Sequence, residues 1–303
     1  MARTLRSVMV FVCLVASTSL IASDLIPLGT DGTTVRDMVN MLRQERENRR
    51  ALRASGVCAS IVSDDSTNDA FIIPAAGSLA GSNGTFFKSD VSIANHRGVG
   101  QVVSIGFLQR GINNGSAAVQ KFTIPANTTT MDQDFIATVL GKSGLGTLLV
   151  IAVTSTTPGA PPDTNAQIDG FSRIWTPQPV LPGQSASVGS VSQSFEAIDL
   201  LDNLLGSYAY GARQDENFRS NVGLVNLYDT ANTFTIQVIG TRGSTSFQQT
   251  VQPYSMEQPG VPAGIYGDFF VRIDSAASNS NWWSAYVSSN DNRTGDGWVS
   301  HVH

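Results

Sequence analysis

One segment of the chain occurs twice. Thr85 to Asn95 reads TFFKSDVSIAN, and Glu216 to Asn226 reads ENFRSNVGLVN. Phe87, Lys88, Ser89, Asp90 and Asn95 match Phe218, Arg219, Ser220, Asn221 and Asn226. Val91 and Ile93 match Val222 and Leu224, and this alternation of apolar and polar positions predicts a half-buried strand. A strand needs partners to be stable, so its recurrence predicts that a whole set of strands recurs.

Further matches keep the same order. Val102 to Phe107 matches Thr233 to Gly240, and Thr123 to Pro125 matches Thr250 to Pro253. Thr130 to Gln133, TMDQ, matches Ser255 to Gln258, SMEQ. The apolar run Thr147 to Val153 matches Asp268 to Asp274, and Ala166 to Thr176 matches Trp283 to Thr294. Phe71 is matched with Phe195. The spacing shrinks smoothly along the chain, as loop shortening after a duplication would produce.

A chain of 303 residues is long enough for two domains. Charged residues make up 14%, against roughly 25% in ordinary globular chains, and there are 28 glycines. Many short strands separated by turns, with hydroxyls and amides facing outward, predict an all-β protein. The expected fold is two tandem antiparallel β-sandwich domains of immunoglobulin-like architecture, preceded by one N-terminal helix. The expected boundaries are 1–22 for a signal peptide, 23–56 for the helical segment and 57–176 for the first sandwich. A Pro-rich linker follows over 177–190, and the second sandwich occupies 191–303. The Cys…Trp…Cys pattern of antibody domains is lacking, so the likeness is one of architecture.

The N-terminus reads as an address. Arg3 and Arg6 precede an apolar run with VMVFVCLVA at its heart, and small residues follow up to Asp24. These are the parts of a secretory signal, which predicts a secreted protein or one of the periplasm or cell envelope. No later segment is apolar enough to span a membrane. Loss of Arg3 and Arg6 takes the net charge from −5 to −7. Such a balance without a basic stripe excludes nucleic acid as a partner. Cys58 is then the only cysteine of the mature chain, expected as a small buried hydrophobe.

Thr33 to Arg53 predicts the helix, with Thr33 or Thr34 as its cap and Asp37 near its positive end. Val35, Met38, Val39 and Leu42 form an apolar stripe, and Arg43, Arg46, Arg49, Arg50 and Arg53 load the later turns. These arginines are expected either in solvent or against an acidic surface.

At FFKSDVSIAN, FRSNVGLVN and DNRTGD (Asp291 to Asp296) the chain resembles a group of secreted bacterial proteins built of tandem immunoglobulin-like or fibronectin-like modules. The resemblance covers residues 70–303 and leaves the helix outside. It implies architecture alone, because that group has no settled activity and no catalytic residues to carry over.

The chemistry-bearing patterns are few. Gly141-Lys142-Ser143 lacks the earlier glycine of a phosphate loop, since that position is Ile136. His96 is the only histidine in the body of the chain, and His301 and His303 form a terminal pair, so neither a serine triad nor a metal centre is predicted. Asp132, Asp134, Asp199, Asp202 and Glu216 are scattered over loops. Two of them converging in the fold would make a glycoside-active enzyme. Asp64, Asp65 and Asp69 cluster, as do Asp291, Asn292 and Asp296. These oxygens on turn loops suit calcium, the one cofactor to consider, though they equally cap turns. Trp282, Trp283, Tyr286 and Trp298 would stack on sugars if exposed, and belong to the core if buried.

Three functions follow in order. The first is a secreted, non-enzymatic protein with a structural, adhesive or envelope-associated role. Its partner would be an extracellular polymer or protein, or a second copy through strand edges. The second is a pair of carbohydrate-binding modules using the aromatics of the second domain. The third is the enzyme with converging carboxylates.

Overall fold

The computed structural model describes residues 25–54, 69–81, 84–178, 180, 187, 189–200, 207–277 and 282–302. The signal segment, Cys58, Asp64, Asp65, Asp202, His303 and most of the proline-rich stretch lie outside them. Among the described residues no helix is long and apolar enough to cross a membrane.

The described residues are mostly antiparallel β-sheet, with two helices. They open with β1 (Ile26–Gly29) and the helix α1 (Val35–Ala54). The first run of strands is β2 (Ala70–Ala80), β3 (Phe86–Asn95), β4 (Gln101–Gln109), β5 (Gln120–Ile124) and β6 (Thr128–Asp132). A single turn of helix, α2 (Phe135–Thr138), leads to β7 (Gly144–Val153), β8 (Ile168–Pro177), β9 (Ser190–Glu196) and the short β10 (Ile198–Asp199). The second run is β11 (Tyr208–Gln214), β12 (Phe218–Asn226), β13 (Asn232–Gly240), β14 (Ser244–Val251) and β15 (Ser255–Glu257). It ends with β16 (Gly267–Ser275), β17 (Trp283–Asp291) and β18 (Gly297–His301).

The strand order repeats. In the first half one layer runs β2-β7-β4-β5 and the other β6-β3-β8-β9. In the second half the orders are β11-β16-β13-β14 and β15-β12-β17-β18. Strand for strand these are the same arrangement. The β2 strand pairs with β7 along most of its length and with β3 at Leu79 and Ala80, so it joins the two layers of the first half.

One predicted equivalence shifts. Phe195 does not open the second set; it lies on β9, which pairs with β8 through Phe171↔Glu196 to Pro177↔Ser190. The counterpart of β2 is β11. Residues 190–196 therefore complete the first half's second layer, although they follow the proline-rich stretch.

The duplicated strand is built from the same contacts both times. In β3 the buried positions are Ser89, Val91, Ile93 and Asn95, and in β12 they include Ser220, Val222, Leu224 and Asn226. Ser89 Oγ donates to the carbonyl of Gly77 on β2 and accepts from its N–H. Ser220 Oγ donates to the carbonyl of Arg213 on β11. Asn95 Nδ2 donates to the carbonyls of Val99, Ile124 and Pro125, while its Oδ1 caps the N–H of Arg97. Asn226 Nδ2 donates to Thr230, Val251 and Gln252, and its Oδ1 caps Tyr228. Each asparagine thus stitches the exit of its strand to the end of the edge strand of the other layer, β5 in the first half and β14 in the second.

The α1 helix starts at a reciprocal cap. Asp37 Oδ2 accepts from the N–H and hydroxyl of Thr34, and the hydroxyl accepts from the N–H of Asp37. Val35, Met38, Val39 and Leu42 are buried. Gly106 on β4 makes room for them: a Cβ there would stand 3.1 Å from Val35 and 3.4 Å from Met38. The helix covers one face of β4, which explains why β4 and the neighbouring β7 are buried on both sides.

The two halves are packed together. The loop after β4 docks on β15: Asn114 Nδ2 donates to the carbonyl of Tyr254, and Ser255 Oγ donates to that of Gln109. Phe195 of β9 meets Tyr286 of β17 edge-to-face at 5.1 Å. Arg43 donates to the carbonyl of Leu227, and the guanidinium groups of Arg43 and Arg46 lie 5.7 and 5.2 Å from the ring centre of Trp282. These helix arginines therefore turn inward onto the second half. Arg49 pairs with Glu45 and Asp69.

The edges differ. In the first half β1 covers the outer edge of β5, through Ile26↔Thr123 and Pro27↔Phe122. The equivalent edge of β14 has no strand beside it among the described residues.

Candidate ligand cleft

The predicted aromatic platform is not a single surface. Trp283 is buried against Phe234 at 5.5 Å. Tyr286 is fully buried across from Gly223, under Phe195, and burial pushes its hydroxyl far above the usual phenol range. Trp282 is buried beneath the helix arginines. Only Trp298 is open, at 40% exposure, and it packs edge-on to Phe218 while its Nε1 donates to the carbonyl of Gly211. Trp283 and Tyr286 do point to opposite faces of β17, but both faces are covered, one by β13 and the other by β9.

The carboxylate loops are also occupied. Asp291 Oδ1 accepts from the N–H groups of Arg293 and Thr294, and these bonds hold its carboxyl below the usual range. Asp296 Oδ1 accepts from the N–H of Gly297, and Asn292 Oδ1 accepts from Arg219. This is the turn chemistry of a hairpin. Asp69, the described member of the other cluster, is buried and bonded to Arg49. Burial pushes its carboxyl up to about 6 against the pull of the Arg49 charge. Among the described residues no three His, Cys, Asp or Glu side chains gather as a metal cluster. Of the dispersed acids, Asp134 sits beside Lys88, Asp199 lies on β10 near Asp69, and Glu216 is exposed in the turn before β12.

What the fold does bring together is the entry ends of the two copies of the duplicated strand. A cleft of about 1010 Å³ opens between the halves. Its walls come from the start of β3, the end of β8, the start of β9, and the β17–β18 turn, with Arg219 at the start of β12. Lys88 and Arg219, matched positions in the two copies, both line it. Lys88 pairs in register with Trp175, and Arg219 with Asn290, so the next strand also contributes matched positions.

The walls mix three kinds of group. Phe86, Phe87 and Trp175 supply aromatic surface, and Phe86 is 46% exposed. The Trp175 indole N–H is shielded and has no acceptor among the described residues. Gln178, Asn290 and Asn292 supply amides, and Lys88, Arg219 and Arg293 supply positive charge. No carboxylate is among the described lining residues. Lys88 is only loosely paired, its Nζ 3.7 Å from Asp134. The side-chain partner of Arg219 is the neutral Asn292 amide at 2.9 Å, and no ion pair engages Arg219 or Arg293 among the described residues. The cleft is near the upper size of small-ligand sites, roughly 300–1,000 Å³, and a larger polymer could lie across it.

The sequence signal for this site is the matched pair of cations in the duplicated strand, Lys88 and Arg219. Trp175 and Gln178 carried no signal, because their approach to Arg219 depends on how the two halves pack.

Comparison with protein-family models, with curated proteins and with solved structures gives no significant match.

Proposed function

We propose that this chain is a secreted, non-enzymatic binding protein with a structural, adhesive or envelope-associated role, made of two immunoglobulin-like β-sandwich units held as one body. The observation that carries the binding role is the junction cleft, where matched residues of both units face one opening with aromatic, amide and cationic walls. The basic N-terminus followed by an apolar run supports export. The repeated strand order supports the two-unit architecture. The packing of α1, β9 and β15 across the halves favours a rigid binder over a flexible tether.

The test is retention. The mature chain is mixed with envelope fragments of the organism that makes it and sedimented. Retention that falls when the cleft carries Lys88→Gln with Arg219→Gln supports the proposal. A chain that stays in the supernatant with every fragment overturns it.

Self-association is a second role with its own observation. The β14 strand, STSFQQTV, is an eight-residue edge without charge or proline, and among the described residues it has no covering strand like that of its counterpart β5. Bare edges of this kind pair with other strands. Analytical ultracentrifugation over a wide concentration range tests it. Association abolished by Gln248→Lys supports edge pairing, and a monomer at every concentration refutes it.

A further inference from the structure

The chemistry of the cleft narrows its ligand further, on the premise that the cleft is the binding site. Lys88, Arg219 and Arg293 face the opening while the mature chain as a whole carries a net charge of −7. A cluster of cations in a net acidic protein, with no carboxylate among the described lining residues and only Asp134 beside Lys88 at 3.7 Å, selects for negative charge. Charge alone would suit many anions. The remaining walls are more discriminating. Phe86 presents an exposed ring at the mouth, and Phe87 and Trp175 add flat apolar surface. Aromatic faces of this kind suit the C–H faces of sugar rings. Gln178 offers a donor and an acceptor, and Asn290 and Asn292, whose oxygens already accept from Gln193 and Arg219, offer N–H donors, groups that read hydroxyls. An inorganic anion would use the cations and leave the rings idle. A neutral sugar would use the rings and amides and leave the cations idle.

We infer that the cleft binds an acidic polysaccharide, a chain of uronic acid or sulfated sugar residues, with ring faces on Phe86 and Trp175 and acidic groups on Lys88, Arg219 and Arg293. An acidic peptide shares the charge but lacks the repeated hydroxyls that the three amides would meet.

The experiment is calorimetric titration of the mature chain with oligogalacturonate, with neutral oligosaccharides of pullulan, and with oligoglutamate, beside the sedimentation with envelope fragments. Oligogalacturonate is expected to bind at least tenfold more tightly than the other two. Its affinity should fall steeply between about 50 and 200 mM salt, because exposed charges are screened over that range. Lys88→Gln and Arg219→Gln are each expected to lower the affinity about tenfold, as loss of a charge-assisted hydrogen bond does. Phe86→Ala should weaken binding severalfold without making it less salt-dependent. All three side chains are at least partly exposed, so the thermal transition should be unchanged and a folding defect is separable from a binding defect. Equal affinity for pullulan would overturn the acidic requirement and leave a neutral-glycan site. Tighter binding of oligoglutamate would make the ligand a peptide. Affinity unaffected by Lys88→Gln, Arg219→Gln and Arg293→Gln together would move the site elsewhere. Retention on envelope fragments with no binding of any oligosaccharide would sink this inference while leaving the binding role intact.

Discussion

Asn95 and Asn226 make the sharpest test of how this fold holds together. Each is buried and makes four hydrogen bonds to main chain. In Asn226 the three carbonyl contacts are 2.9, 3.2 and 3.0 Å and the cap on Tyr228 is 3.0 Å. An intramolecular hydrogen bond is worth a net of about 0.5–1.5 kcal/mol, which gives roughly 2–6 kcal/mol for four. Thr230 and Gln252 lie near the surface, so water can replace part of what they lose, and the expected loss for Asn226→Ala is about 3 kcal/mol. The matched geometry predicts the same for Asn95→Ala. Thermal unfolding followed by circular dichroism should fall by roughly 6–12 °C in either variant. Asn226→Asp should be worse at neutral pH. It keeps the cap on Tyr228 but turns an ionised oxygen toward three carbonyl oxygens. Its carboxyl is then more easily protonated in the folded state, so its folded pKa is raised. Stability relative to the parent should therefore recover as pH falls toward 4 and be lost as pH rises. A loss below about 1 kcal/mol for Asn226→Ala, or a deficit in Asn226→Asp that does not change with pH, would refute the reasoning.

Other perturbations have clear signs. Gly223→Ala should cost about 3 kcal/mol in urea unfolding, because its Cβ would fall 2.0 Å from the Tyr286 ring, whereas the matched Ser92 already carries a side chain. Asp31 is ion-paired with the buried Lys121 at 2.5 Å; burial works against its ionisation, but the Lys121 and Thr33 bonds prevail and hold its carboxyl at about 2. Its contribution is thus present above the ordinary carboxyl pKa near 4 and lost as pH falls toward 2, and Asp31→Asn should lower stability by about 3 kcal/mol at pH 7 and flatten that part of an acid titration. Arg46 and Trp282 should show a coupling of about 1 kcal/mol in a double-mutant cycle, the worth of a partly desolvated cation over a ring. Trp282→Ala should also speed proteolytic cleavage between the halves, and an unchanged cleavage rate would show that the helix clamp is idle.

The sequence made the strands legible where one face alone is buried. Ser89, Val91, Ile93 and Asn95 alternate inward as read, and so do their partners in β12. It left the outcome open where both faces are covered. Trp283 and Tyr286 differ in parity, so they cannot share one face of a regular strand, and pattern alone does not say what covers each face. Both faces of β17 are covered, and the strand is buried from Trp283 through Ser289. The cover over Tyr286 is Phe195, which comes from the other half and was itself assigned to the wrong neighbour. Local pattern cannot report such contacts, since they join residues about ninety positions apart. The helix gives the same lesson. Its apolar stripe and its cap were readable, but its arginines look solvated on a helical wheel, and Arg43 and Arg46 in fact bind across the junction.

Duplication separates two kinds of information in this chain. Inward positions recur because each unit must solve the same packing problem. Asn95 and Asn226 repeat down to the carbonyls that they engage, Ser89 and Ser220 each donate to a main-chain carbonyl of the other layer, and these contacts say nothing about a ligand. Outward positions are free to drift, and most have done so. Where the first copy has Ser92 the second has Gly223, which admits Tyr286, and the strand that covers β5 has no counterpart at β14 among the described residues. Against that background the pair Lys88 and Arg219 stands apart. Both are outward and neither is held by a close ion pair, so packing does not require a cation at either place. Yet both copies carry one, and the fold turns both toward the same cleft. A positive charge at two matched places, held in one only by a 3.7 Å pair with Asp134 and in the other by a neutral amide, is the strongest reason to look for the ligand there.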